Sequence, residues 1–239
     1  MKKLILCALM LALFPWAGFC QTDTPADAPA RNEWLPSFAA VEVAGAIDIE
    51  LIRVPASEAP KIVYDTKGSY TTRFTFEVKN NVLRINERVD ARRPDRTQVT
   101  LYYNTLESLS ITDATATVRD TIDTRLFDLS VGARATLHAT LDVQDLNMEL
   151  TGRNSRATLQ GSARYLTLYA STGTVDALEL QVMAARVNVT GGGSVFVDVT
   201  DRLEAQTSTN GRLNYKTEPA IRREATRFMG GDIATFKQN

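Results

Sequence analysis

The chain has 239 residues, one histidine, two cysteines and nearly balanced charge, 27 Lys+Arg against 28 Asp+Glu. Both cysteines, Cys7 and Cys20, lie at the extreme N-terminus, so the rest of the chain has no disulfide, no thiol chemistry and no metal site built on Cys or on several His. The charge balance excludes the electrostatic footprint of a nucleic-acid or anionic-membrane binder, and no cofactor is expected.

Residues 1–20 have the layout of a secretory signal. Lys2 and Lys3 give a positive start, Leu4 to Phe14 is an uncharged apolar run, and Pro15, Ala17 and Gly18 precede Cys20 and Gln21. The run is too short to span a bilayer, which takes about 20 residues, and no later segment approaches that length. Two readings of Cys20 stand: ordinary cleavage beside it, or a lipid anchor on it. The residue before it is Phe19, where a lipidated cysteine is expected to follow a small residue, and this favours ordinary cleavage. Without Lys2 and Lys3 the balance is 25 against 28, a net of −3.

Residues 21–33, with two prolines and few apolar groups, read as a disordered tether. A single all-β domain is expected over 34–239, with N-terminal strands over 34–105 and repeat coils over 106–239. Val41, Val43, Ile47, Ile49 and Leu51 alternate with Glu42, Asp48 and Glu50, a period of two that sends one set inward. Residues 61–64 form another short strand. Phe74, Phe76 and Val78 alternate, then Asn80-Asn81 precedes Leu83 and Ile85, which is a hairpin signal because Asn tolerates the left-handed conformation. Arg92, Arg93 and Arg96 sit in a polar loop, and Val99, Leu101 and Tyr103 resume the alternation. No helix of ten or more residues is predicted; the last candidate, 220–228, has no apolar stripe.

The second half repeats. Successive stretches such as LFDLSVGARATLHATL and YLTLYASTGTVDALEL each hold an alternating strand, a short turn of small or polar residues, and a second alternating strand. The second strands place Val118, Leu137, Leu159, Val175, Val195, Leu213 and Ile233 as equivalents, in steps of 16 to 22 residues. One coil alone cannot bury its apolar side chains, whereas stacked coils form one continuous core. Gly132, Gly152, Gly173, Gly191, Gly192, Gly193, Gly211, Gly230 and Gly231 fall at the turns, where sharp bends demand strained backbone angles without a Cβ clash.

These segments resemble the auto-transporter adhesin head domain, the GIN domain, of envelope proteins in Bacteroidetes and related bacteria. The likeness rests on FAAVEVAGAIDIEL (38–51), VKNNVLRI (78–85), VTLYY (99–103) and the repeats that follow. It departs at the turns, which read VGAR, TGRN and TGGGS where members often have Ser-Gly-Ser-Gly. The resemblance implies a single-stranded right-handed parallel β-helix, a β-solenoid, with an N-terminal antiparallel hairpin region. It also implies an envelope location, in the periplasm or at the cell surface, and an adhesive or structural role with no known ligand.

Chemistry-bearing residues are few. His138 alternates with Leu137 and points outward, onto a solvated face. Asp120 with Asp123, Asp142 with Asp145, and Asp198 with Asp201 are acidic pairs at strand ends. They are candidate carboxylates for a carbohydrate-active β-helix enzyme, the alternative reading, and Asp198 with Asp201 for a structural cation. Turn chemistry alone also explains aspartate there. Gly191 to Gly193 lacks the Lys-Ser or Lys-Thr of a phosphate loop. Arg92, Arg93 and Arg96 on one loop, and Arg222, Arg223 and Arg227 near the end, can dock a phosphate or an acidic glycan, or simply be solvated. Tyr64, Tyr102, Tyr165, Tyr169 and Tyr215 are available for sugar stacking, and Tyr165 and Tyr169 alternate with inward Leu166 and Leu168, so they face out together as a glycan platform. The solenoid ends need caps: Trp34 with 38–51 at one end, Phe228 and Phe236 at the other. The leading reading is a non-catalytic exported module. It offers a rigid surface to a glycan, an envelope protein or another copy of itself.

Overall fold

A computed structural model of the chain describes residues 30–67, 73–88, 95–227 and 230–236. The expected signal segment, Arg92, Arg93 and Phe228 lie outside these residues, as does the side chain of Arg227. Seventeen strands and no helix occur among the described residues, and the strands join in one continuous sheet.

Two strand faces repeat along the solenoid. Face A holds β2 (Ala40–Ala44), β6 (Val82–Glu87) and β8 (Ser108–Thr112). Face B holds β3 (Ile47–Arg53), β7 (Thr97–Tyr103) and β9 (Thr115–Val118). From there single long strands serve both faces. β10 (Ile122–Val131), β11 (Thr136–Leu150), β12 (Arg156–Ser171), β13 (Thr174–Thr190) and β14 (Ser194–Ser208) each turn a corner part-way along. Face A then ends on β16 (Ile221–Arg227), while face B ends on β15 (Gly211–Tyr215) and β17 (Gly231–Thr235). All pairings from coil to coil are parallel.

The coils are not stacked in chain order. β2 lies between β6 and β8, and β3 lies between β7 and β9. The first coil laid down is therefore an interior one. The chain next goes outward to build the coil of β6 and β7, then returns across the first to continue the stack. Residues 38–51 thus sit within the stack and do not cap it. The end rung is instead β4 (Lys61–Asp65), antiparallel to β7, with β5 (Phe74–Lys79), antiparallel to β6. Tyr64, Phe74 and Phe76 pack there with ring centroids 4.8–5.9 Å apart. Asn80 and Asn81 turn the predicted hairpin with φ of 53° and 65°.

β1 (Arg31–Trp34) pairs antiparallel with β4. Arg31 to Glu33, assigned by composition to the tether, are thus an edge strand. The free side of β4 recruits their backbone, and Tyr64 donates a hydrogen bond to Glu33 at 2.9 Å. Trp34 stays 67% exposed, so it does not cover the core.

The core is a set of columns running through the coils. One face-A column is Leu83, Val41, Leu109, Leu129, Met148, Leu168, Val187 and Ala205. The face-B column is Val99, Ile49, Ala116, Leu137, Ala157, Val175, Val195, Leu213 and Ile233. All but Ile233 are buried, and each aliphatic side chain so placed contributes roughly 1.5–3 kcal/mol. Two of the equivalences expected from the repeat differ in the structure. Ala116 and Ala157, rather than Val118 and Leu159, stack with Leu137. Steps of two keep a side chain on the same face, so alternation alone does not distinguish neighbouring columns.

The turns also differ from expectation. Gly152, Gly191, Gly192 and Gly230 take positive φ, but Gly132, Gly173, Gly193, Gly211 and Gly231 do not. At the latter the constraint is close approach: a Cβ on Gly211 would lie 2.5 Å from the Val189 carbonyl oxygen. Left-handed turn positions fall instead to Asp113, Arg134, Asn154, Thr172, Thr209 and Asn210.

Candidate binding face

The outward side chains of face A form polar ladders over the buried columns. Asp128, Asn147, Thr167 and Arg186 occupy one ladder, and Ser130, Glu149, Tyr169 and Asn188 the next. Together they line a shallow concavity of about 520 Å³. Tyr165 and Tyr169 both project outward, 43% and 39% exposed, with Thr167 between them. Arg164 lies over the Tyr165 ring, 5.4 Å from its centroid. Asn147 donates to Asp128 at 2.9 Å, and Arg186 pairs with Glu204 at 3.2 Å. Arg202 and Arg186 hold the Glu204 carboxyl below the usual carboxylate range by hydrogen bonding to it.

The other sequence candidates go elsewhere. Tyr64 and Tyr215 are buried, and Tyr102 is half-buried. Tyr103 is also buried; loss of water pushes its phenol up to about 12, and nearby Asp120 pushes the same way. His138 sits outward on face B between Thr117 and Thr158. Asp120 accepts from the Arg53 amide at 2.8 Å. Asp123 and Asp142, from different sequence pairs, are neighbours on adjacent coils. Asp198 is 8% exposed, and its Oδ1 has no hydrogen-bond partner among the described residues; Lys216 Nζ lies 3.9 Å from Oδ2, and Asp201 is exposed. No group of three or more His, Cys, Asp or Glu among the described residues is arranged to hold a metal ion.

One arginine of each cluster is tied into the fold. Arg96 donates to Asp48 Oδ1 at 2.6 Å and to the carbonyls of Ile47 and Asp113 at 2.9 and 3.0 Å. Arg222 pairs with Glu218 at 2.8 Å and Glu224 at 3.0 Å, and also donates to the Tyr215 hydroxyl. Arg222, Glu224 and Thr226 follow Leu203, Ala205 and Thr207 in the inward columns, so the last face-A rung is polar. Phe236 packs edge-on against Phe196 at 5.9 Å on face B. Missing from the sequence reading was the Asp123–Asp142 neighbourhood. The near-constant coil length, applied to outward as well as inward positions, is the signal that finds it.

The fold is shared with solved structures of low sequence identity. A putative adhesin from Bacteroides fragilis is 17% identical, with a TM-score of 0.78 covering 87% of this chain and 96% of that one. A putative adhesin from Parabacteroides distasonis is 18% identical, with a TM-score of 0.63 over 86% and 96%. A structure from the same organism described as a putative lipid binding protein is 14% identical, with a TM-score of 0.65 over 87% and 96%. No curated protein matches the chain. The family described as "Putative auto-transporter adhesin, head GIN domain" matches residues 37–219. Membership of an exported adhesin family places the chain outside the cytoplasm, as a non-catalytic module. No helix among the described residues is long and apolar enough to cross a membrane. The chain belongs to the adhesin-head GIN-domain family.

Proposed function

We propose that face A is the adhesive surface, and that Tyr165 and Tyr169 are a stacking platform for a cell-surface glycan. The observation that carries this reading is the concavity around Tyr169, where an exposed ring stands among Asn147, Thr167, Asn188 and Arg186. Sugar rings pair an apolar face with a rim of hydroxyls, and an aromatic ring beside amides and hydroxyls meets both needs. The stacked coils hold these groups on paired strands, so little ordering is needed on binding.

A glycan array with the purified exported protein tests the proposal. Expected is binding to at least one glycan class, weakened about threefold to tenfold by Tyr169→Ala, the aromatic contact being worth about 0.5–1.5 kcal/mol. Silence across the array, with capture of an envelope protein that Tyr169→Ala abolishes, replaces the glycan with a protein partner. We place the module at the cell surface rather than in the periplasm, and protease added to intact cells distinguishes the two.

A further inference from the structure

A second concavity, of about 670 Å³, runs along the corner where each coil passes from face B to face A. Its floor is the column of Thr124, Val143, Ala163 and Val182, which is buried apart from half-buried Thr124. The flanking residues on either side are exposed or half-buried and line the same concavity, so they form its two walls. One wall is Asp123, Asp142, Ser162 and Gln181, stacked coil on coil. The other is Arg125, Gln144, Arg164 and Met183, the corner residues that drop out of strand pairing.

Among the described residues, the charges in this groove have no partners of opposite sign. Elsewhere some arginines meet carboxylates, as in Arg84–Glu42 at 2.8 Å, Arg134–Asp113 at 2.6 Å and Arg202–Glu204 at 2.6 Å, while others, such as Arg153 and Arg212, stand alone on the surface without lining a concavity with unpaired carboxylates. Arg125 and Arg164 have no described carboxylate within 4 Å, and Arg164 only stacks on Tyr165. Asp142 accepts only from Ser162, at 2.7 Å, and Asp123 has no side-chain hydrogen bond to a described residue. The groove is thus basic along one wall and hydroxyl-accepting along the other.

We propose that this groove binds an extended acidic oligosaccharide with a uronate on alternate sugars, lying parallel to the solenoid axis. Coils repeat at about 4.8 Å, so Arg125 and Arg164, two coils apart, are about 10 Å apart along the axis. An extended pyranose chain advances by close to one coil per sugar, so the uronates, on every second sugar, meet successive arginines. The carboxylate edge meets the guanidinium wall in bidentate geometry, and the hydroxyl edge donates to Asp123 and Asp142. Reversing the chain's facing sets carboxylate against carboxylate, so the two walls also fix orientation. A peptide is the poorer occupant: lying along the groove it crosses the strands, which are already paired through β11 to β13 and offer it no edge. The net negative charge of the chain does not oppose this, since distant charges are screened beyond about 8–10 Å.

This deepens the reading of the chain as a glycan-binding module but places the acidic ligand away from Tyr169. The test is calorimetric titration of the exported protein with a hyaluronan octasaccharide, its carboxyl-reduced neutral form, and a Glu-rich peptide. Expected is binding of the octasaccharide that weakens with salt, at least tenfold weaker binding of the neutral form, and tenfold losses in Arg125→Gln and in Arg164→Gln. Arg212→Gln, which removes an exposed arginine on face B, leaves that binding unchanged. Arg125 and Arg164 are also exposed, and unchanged melting temperatures of the variants confirm their fold. Octasaccharide binding indifferent to both groove variants, tighter binding of the peptide, or no uronate binding at all overturns the groove. A neutral glycan lost only with Tyr169→Ala leaves the face-A reading standing without it, and silence to every sugar ends both.

Discussion

Arg96 and Asp48 are joined at 2.6 Å across two coils that the chain lays down out of order. Asp48 belongs to the first coil, Arg96 enters the second, and the same guanidinium reaches the Asp113 carbonyl in a turn of the third. One side chain thus clips the returning stack together. Arg96→Ala is expected to lower unfolding free energy by about 1–2 kcal/mol, because the pair is a third exposed but holds two further carbonyls. Arg96→Lys should recover little of this, as an ammonium cannot span the three acceptors. Urea denaturation midpoints measure both.

Leu137 is fully buried between Ala116 and Ala157 on the coils on either side of it. From Ile49 to Val175 the column alternates large and small, so both substitutions that break the alternation there should destabilise. Leu137→Ala opens a cavity and should cost about 2–5 kcal/mol. Ala157→Leu overpacks against Leu137 and Val175 and should cost about 1–3 kcal/mol. If the double variant recovers most of the loss, the column packs as a unit; thermal unfolding of the three variants measures it.

Gly161 has φ of +104°, and a Cβ there would lie 2.0 Å from the Leu141 carbonyl oxygen. Gly192, at φ +80°, has no described atom within 4 Å of where a Cβ would stand. Gly161→Ala should therefore abolish or severely reduce folding. Gly192→Ala should cost only about 1 kcal/mol of backbone strain. Soluble yield and melting temperature separate the two.

Tyr103 is 2% exposed, its hydroxyl has no hydrogen-bond partner among the described residues, and burial pushes its pKa up to about 12. In the unfolded chain this phenol ionises near its ordinary pKa of about 10. Between those values the unfolded state releases a proton that the folded state keeps, so stability falls as pH rises through the window and is fully present below it. Ultraviolet titration should show a tyrosine step near 12 that Tyr103→Phe removes, together with a flatter alkaline stability profile.

The last face-A rung places Arg222, Glu224 and Thr226 where earlier coils place apolar residues. Charged groups on a terminal strand discourage another sheet from adding to it. Arg222→Leu with Glu224→Val continues the apolar columns to the end, and light scattering should then show end-to-end association. A monomer under those conditions would mean that the cap works by some other feature.

Residue order alone was enough for the strand alternation, the coil length near twenty residues and the inward set from Val118 to Leu213, because period two and a repeated turn are local properties. It was also enough for the outward direction of Tyr165 and Tyr169. Column membership was not local: Val118 and Ala116 share a face, and only the register between coils assigns one of them to Leu137. The place of the first coil inside the stack, the role of Arg96 and the edge strand at Arg31 to Trp34 depend on which strand edges remain free after the chain doubles back. The corner groove follows from a bend repeated in register. Residues about twenty apart in sequence become neighbours only when parallel hydrogen bonding stacks one coil on the next.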